Sequence, residues 1–327
     1  CDFVYPYYRD ASMLLSIGLQ PYDLMLQLLS KSNDPFSGGK TYYSHPSLND
    51  SNFPKIPHQS SATGMQAIPA TGAALGLKYK ELVGLSDGDE FPPVVICSLG
   101  DASCTEGEVS EAFQMAVLKK LPIIYVVQDN EWDISAKAEE TRAQDISHFA
   151  RGFKGLQTLT IDGTDFQESY DAFGKALEIT RKRVGPVLVH AKVPLLNHHT
   201  SGVRMEWYRD DLEEQLLRDP LPKLTQLLLE SGFTNKELTD ISKNSQKLVL
   251  QHYSRALNNK DPGVEELHQN IFAPTTVTKE LGKRAPAEKE PTVMVDSALF
   301  AIRELLELDP KCLLYGQDVG GRLGGVF

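Results

Sequence analysis

The segment Pro92–Ser135, PPVVICSLGDASCTEGEVSEAFQMAVLKKLPIIYVVQDNEWDIS, decides the fold. Val94, Val95, Ile96 and Leu99 make a short apolar run that closes at Gly100-Asp101, as in a strand buried on both faces. Ser103 precedes Glu106, and Thr105 precedes Glu108, at capping-box spacing. Val109, Ala112, Phe113, Ala116 and Val117 then recur along one helical face. Leu121-Pro122 ends that helix, and Ile123 to Val127 read as a second buried strand with Gln128, Asp129 and Asn130 at its carboxyl end. The three pieces form a βαβ unit. Its right-handed crossover brings both strand ends to one edge of a parallel sheet, where Asp101 and Asn130 are expected to meet over the amino end of the helix.

A carboxylate and an amide oxygen suit a hard cation such as Mg²⁺, which takes its remaining ligands from phosphate and water. The helix end beside them offers backbone N–H groups and positive dipole to the same phosphate. The strand tips therefore read as a magnesium–diphosphate site.

Gly100-Asp101-Ala102 followed downstream by Asn130 resembles the thiamine-diphosphate signature, Gly-Asp-Gly and then asparagine, with Ala102 in place of the last glycine. With Ser103, Glu106-Gly107 and Pro122-Ile123-Ile124, the chain is similar to the decarboxylating component of 2-oxo acid dehydrogenase complexes. The likeness is greatest to the alpha half of the branched-chain (2-oxoisovalerate) type. That resemblance implies thiamine diphosphate and Mg as cofactors. The metal would be held by Asp101, Asn130 and the backbone carbonyl of Trp132, and Gly100, Ala102 and Ser103 would stand beside the diphosphate.

The same resemblance assigns further positions. Tyr8-Arg9 would reach the diphosphate, because an arginine fork matches phosphate oxygens. Ser61 and Thr63 would touch the cofactor rings, and a monovalent cation near Ser60 and Gln66 is a weaker carry-over. In Asn197-His198-His199-Thr200-Ser201, His199 is expected near the diphosphate and active-site mouth, with His198 as second candidate. The His-His pair favours a branched-chain substrate, since the pyruvate type more often has His-Gly-His-Ser. Adjacent histidines seldom chelate one metal, because their side chains diverge.

Gly38-Gly39-Lys40-Thr41 tempts a phosphate-loop reading, but Asp34 stands where that motif needs glycine and no strand precedes it. Residues 33–60 are read as a long irregular loop in which His45 is structural or walls a channel. Before it, Leu24, Met25, Leu28 and Leu29 suggest one face of an amphipathic helix. After the central unit come a strand at Leu156–Ile161, a helix bearing Phe166, Tyr170, Phe173 and Leu177, and a buried strand from Val187 to Val193.

At 327 residues and 41% hydrophobic, the chain is long enough for two domains. A net charge of −11 excludes nucleic acid and anionic membranes as expected partners. No apolar run reaches the length of a membrane span and no signal peptide opens the chain, so a bacterial-type cytoplasm is expected ahead of a mitochondrial matrix. The four cysteines show no CxxC spacing and read as reduced thiols. Cys1 at one end and Gly324-Gly325-Val326-Phe327 at the other look like cut ends.

The expected architecture is α/β: a doubly wound parallel sheet of the thiamine-diphosphate-binding fold over 1–205, a helical tail over 206–278, a linker over 279–291, and the start of a second α/β domain over 292–327. In the last stretch Gly316-Gln317-Asp318-Val319 resembles the opening of a beta half, so the chain looks like an alpha half fused to the start of a beta half. The implied reaction is oxidative decarboxylation of a branched-chain 2-oxo acid with acyl transfer to lipoyl-lysine of the dihydrolipoyl acyltransferase. The implied partners are a beta half, that lipoyl domain and further copies of the chain. The initiating glutamate is expected beyond Phe327. A pyruvate- or acetoin-type thiamine enzyme, which shares every cofactor residue, and a non-catalytic assembly subunit of the same fold stay open.

Overall fold

In the computed structural model, which describes residues 1–86, 88, 90–200, 202–272, 274, 290–316 and 319, the central segment forms the βαβ unit its pattern predicts. After a first strand β1 (Phe3–Tyr5) and helices α1 (Ala11–Ser16), α2 (Pro21–Leu28) and α3 (Ala67–Leu82), the chain runs through β2 (Val95–Gly100), α4 (Gly107–Lys119) and β3 (Ile123–Asp129). A small hairpin of β4 (Trp132–Asp133) and β5 (Ala136–Lys137) leads to α5 (Ala138–Thr141) and α6 (Ile146–Arg151), then β6 (Gln157–Asp162), α7 (Phe166–Arg181) and β7 (Val187–Lys192). Five of these strands form a parallel sheet in the order β1-β2-β3-β7-β6.

Strand alternation sorts the core into two layers. Val95, Cys97, Leu99, Ile123, Tyr125, Val127 and Leu188 face α3, α4 and α6, through Ala70, Ala74, Phe113, Ala116 and Ala150. Ile124, Val126, Val187 and Val189 face α7 through Ala172 and Ala176. Helices on both faces of a parallel sheet are the doubly wound arrangement, with its functional edge at the carboxyl ends of the strands.

Three local readings are corrected. Neither capping box forms: Asp101 leaves β2 already helical (φ −62°, ψ −44°), residues 102–105 make a 3-10 turn, and the extended backbone an N-cap needs first occurs at Glu106. The amino-terminal segment contributes β1 to the sheet edge, and its helical part breaks into α1 and α2, where Leu26 and Gln27 are buried and Leu28 is exposed. Gln27 is buried because its amide pairs with the backbone of His45 in both directions, at 3.0 and 3.1 Å. The small-residue helix, which the run Ser60-Ser61-Ala62-Thr63-Gly64-Met65-Gln66 is expected to open at its serines, starts only at Ala67.

The loop 33–60 is irregular as read, and the carboxylate of Asp34 accepts the backbone N–H groups of Phe36, Ser37 and Gly39, so the glycine pair folds around the chain's own anion.

Beyond β7 the chain is helical: α8 (Leu212–Leu217), α9 (Pro220–Glu230) and α10 (Asn235–Leu257), the last opened by a capping box between Thr234 and Glu237. Helix α10 packs on α2, with Arg255 stacked 3.8 Å from the Tyr22 ring centre and His252 accepting the Tyr22 N–H. These elements belong to one unit, Cys1–Tyr79 with Ser86–Leu267. A second unit comprises Lys80–Leu85 and His268–Phe327. It contains α11 (Met294–Leu308), on which Val295, Leu299, Ile302, Leu305 and Leu306 are exposed. The expected linker falls largely, and Gln317 and Asp318 wholly, outside the described residues. Among the described residues no helix is long and apolar enough to cross a membrane.

Candidate active site

Asp101 stands one residue past β2 and Asp129 closes β3; the register pairs Gly100 with Gln128, so the two acids are level neighbours at the carboxyl edge. Alternation places both on the face of α4 and α6, two residues after buried Leu99 and Val127. His190 of β7 shares that face, two residues after buried Leu188. Arg142, at the carboxyl end of α5, spans the acids: Nη1 donates to Asp101 Oδ2 at 2.9 Å and Nη2 to Asp129 Oδ1 at 2.7 Å. His190 Nε2 donates to Asp129 Oδ2 at 2.7 Å.

The two acids are shifted in opposite directions. Burial and the charge of Asp129 push Asp101 up to about 7, against the opposing pull of Arg142. Burial also works against ionised Asp129, but hydrogen bonds from His190 and Arg142 outweigh it and hold this carboxyl well below the usual range. One guanidinium serves two buried carboxylates here. Ionised Asp101 is short of positive charge.

The remaining signature residues surround this pair. Gly100 lies against Tyr7: a Cβ there would stand 2.5 Å from the Tyr7 hydroxyl, so only glycine fits. Ala102 is not among the described residues with positive φ, so its methyl group brings no backbone strain. Asn130 and Trp132 are both buried, and Asn130 Oδ1 accepts the Trp132 N–H at 3.0 Å, which folds the chain sharply past β3. The Asn130 oxygen keeps a second lone pair.

A second cluster forms on the turn after β1. Arg9 Nη1 donates to the hydroxyls of Tyr7 and Tyr8 at 2.6 and 2.7 Å, and its guanidinium lies 4.5 Å from the Tyr8 ring centre. Its Nη2 is 2.9 Å from His199 Nδ1. Half-burial and the Arg9 charge bring His199 down to about 4, so the ring is neutral at pH 7. Beneath this turn buried Asp10 accepts the Tyr7 N–H at 2.7 Å and the side-chain amide of Gln128, which ties the turn to the tip of β3.

Tyr7, Tyr8, His45, Ser61, Thr63 and Ser103 line one cleft. Gly64 (φ +78°) closes its floor: a Cβ there would be 3.2 Å from Ser103 O and from Glu106 Cβ, so the Ser60–Gln66 loop packs directly on the turn after β2. Gln66 spends its amide on Ser98 O at 2.9 Å, and Ser60 Oγ accepts the Ala62 N–H at 3.1 Å.

The structure thus joins Tyr8, Arg9 and His199, and gathers Tyr8, Ser61, Thr63 and Ser103 round a cleft. His198 is turned from this group, with Nδ1 accepting the Met205 N–H and Nε2 beside Arg204, both at 3.3 Å. Sequence reasoning gave no role to Tyr7, Arg142 or His190. A lone histidine inside the apolar run VLVHAK was a signal; Arg142 lies in a polar stretch with none.

The chain is similar over most of its length to known proteins. Residues 1–265 match the family described as "Dehydrogenase E1 component". The chain is 30% identical over 240 residues to the 2-oxoisovalerate dehydrogenase subunit alpha of Bacillus subtilis, covering 72% of this chain and 69% of that one. It is 31% identical over 276 residues to the pyruvate dehydrogenase E1 component subunit alpha of Porphyra purpurea, covering 83% and 78%. The mitochondrial 2-oxoisovalerate dehydrogenase subunit alpha of Caenorhabditis elegans is 26% identical over 275 residues, 83% of this chain and 61% of its own length. The chain belongs to the dehydrogenase E1 component family, as an alpha-type member of the thiamine-diphosphate-dependent 2-oxo acid dehydrogenases.

Proposed function

We propose that this protein is the alpha-type part of a branched-chain 2-oxo acid dehydrogenase, and that it holds magnesium and the diphosphate of thiamine diphosphate at the carboxyl tips of β2 and β3. The carrying observation is the buried, charge-starved Asp101. A hard cation supplies the missing charge, and the oxygens of Asp101 and Asn130 with the carbonyl of Trp132 are the donor types it takes. Arg142 and Arg9, with neutral His199, offer N–H groups to the phosphate oxygens, and Ser61, Thr63 and Tyr8 border the cleft that would receive the rings.

When bound, the cofactor would supply the nucleophilic chemistry by which a 2-oxo acid is decarboxylated. The residues of this chain do the holding: Arg9 fixes His199 Nδ1 as an acceptor, so Nε2 carries the proton and serves as a donor at the mouth. A beta-type partner would supply the glutamate that starts the chemistry, and the lipoyl group of an acyltransferase would be the acyl acceptor. The family match ends at 265, and we read 206–278 as a helical tail, 279–291 as a linker and 292–327 as the opening of a beta half.

Branched-chain substrates are favoured by the adjacent His198-His199 pair, although relatives of the pyruvate type are equally similar. The reading is tested by calorimetric titration of thiamine diphosphate with Mg²⁺ into the full-length protein, where Asp101→Ala or Asn130→Ala should abolish binding with the fold intact. Assay with an artificial acceptor should then find 3-methyl-2-oxobutanoate turned over faster than pyruvate. Preference for pyruvate rejects the substrate assignment, and unchanged affinity in both variants rejects the site.

A further inference from the structure

Three side chains that the proposed reading leaves without a role gather beside the strand tips: Asp129, His190 and Asp145. Their ligand atoms lie within 4.8 Å of one another, the spacing of a metal site, but the charges argue otherwise. Asp145 Oδ1 already accepts the N–H and hydroxyl of Ser147 at 2.7 and 2.6 Å, capping α6, and Lys192 Nζ lies 3.5 Å from its other oxygen. Asp129 is paired with Arg142 at 2.7 Å. The cluster brings its own cations.

What distinguishes this group is how completely Asp129 is fixed. Its Oδ1 accepts the Glu131 N–H at 3.1 Å as well as Arg142 Nη2, and Oδ2 accepts His190 Nε2. His190 has no exposed surface and sits in β7, between β3 and β6. Among the described residues its Nδ1, 3.6 Å from Asp145, has no hydrogen-bond partner, so the bond to Asp129 is the one side-chain hydrogen bond described for the ring. Arg142 stands at the end of a four-residue helix, on an extended backbone that does not itself fix a long side chain.

A guanidinium and a divalent cation cannot both sit on one carboxylate oxygen without strong repulsion. A cation that takes Asp101 through Oδ2, the oxygen Arg142 Nη1 holds, loosens that bond, and the side chain then stays at the site through its second anchor on Asp129. We propose that Asp129 and His190 are positioning residues: His190 aims Asp129, and Asp129 retains Arg142 beside Asp101 when that carboxylate exchanges the guanidinium for the metal. This rests on the magnesium–diphosphate reading of the site.

The test is calorimetric titration of Mg²⁺–thiamine diphosphate into the full-length enzyme and its His190→Leu and His190→Gln variants, each repeated in an Arg142→Ala background. His190→Leu removes the donor to Asp129 and should weaken binding about 10- to 100-fold, the usual cost of losing an outer hydrogen-bond partner. His190→Gln keeps an N–H near the Nε2 position and should recover most of that loss. In the Arg142→Ala background His190→Leu should add nothing, whereas a merely structural role would cost the same in both backgrounds. Wild-type affinity in His190→Leu, or an undiminished loss without Arg142, overturns the proposal. Should His190→Leu fail to fold, Asp129→Asn keeps the side-chain shape and carries the same expectations. Absence of saturable binding by the wild-type protein would sink the cofactor reading together with this one; wild-type binding with an indifferent His190→Leu sinks this one alone.

Discussion

Arg9 Nη2 lies 2.9 Å from His199 Nδ1, although 190 positions separate the two residues. Arg9 follows the edge strand β1 and His199 follows β7, and the parallel sheet brings both segments to its carboxyl edge. A guanidinium can only donate, so the contact makes Nδ1 the acceptor and leaves the ring proton on Nε2.

The first prediction concerns protonation. His199 should titrate near 4 by NMR, and Arg9→Met should raise that value part of the way toward 6.5, because burial, the larger cause, remains. The folded-state value is depressed, so between 6.5 and about 4 the unfolded chain binds a proton that the folded chain does not. Stability from this group is present above 6.5 and falls as pH drops through that window. A midpoint near 6.5 in the wild-type protein would contradict the contact.

Gly100→Ala should destabilise the protein by about 1–3 kcal/mol, since the new methyl group overlaps the Tyr7 hydroxyl. Tyr7→Phe removes that oxygen, so the combined variant should lose less than the sum of the two single losses in urea melts. Additive losses would show that Tyr7 does not pack on the strand tip.

Lys120 ends α4 in the left-handed conformation at φ 49°, ψ 56°, with its side chain exposed. Lys120→Gly should therefore stabilise the protein by about 0.5–1 kcal/mol, the relief of the Cβ clash less the greater freedom of an unfolded glycine. A lowered melting temperature would contradict this.

The parts of the fold that the sequence disclosed are those with strong punctuation. β2, β3 and β7 are apolar runs and α4 and α7 amphipathic ones, closed by Gly-Asp, Pro or Gly-Pro, and apart from the start of α4 they stand where the pattern puts them. β1 is only Phe3–Tyr5, too short for alternation to register, and it becomes a strand because β2 offers it an edge. The start of α4 was misread because capping-box spacing says nothing of backbone angle, and Asp101 enters the turn already helical. At the candidate site, residues carried by a local motif are legible in the sequence, and those defined by a distant partner are not. Arg142 gains its meaning from Asp101 and Asp129, and His190 from Asp129, none of which a linear reading brings together. His198 and His199 are neighbours in the chain, yet only His199 meets Arg9.

The central claim is that Asp101 and Asn130 grip a magnesium ion carrying thiamine diphosphate, and crystallography of the full-length protein with both bound tests it most directly. The account predicts a metal about 2.0–2.1 Å from Asp101 and Asn130 side-chain oxygens, with Arg142 released from Asp101 and still on Asp129. A metal held elsewhere, or Asn130 more than a bond length from it while Arg142 keeps Asp101, would contradict the account.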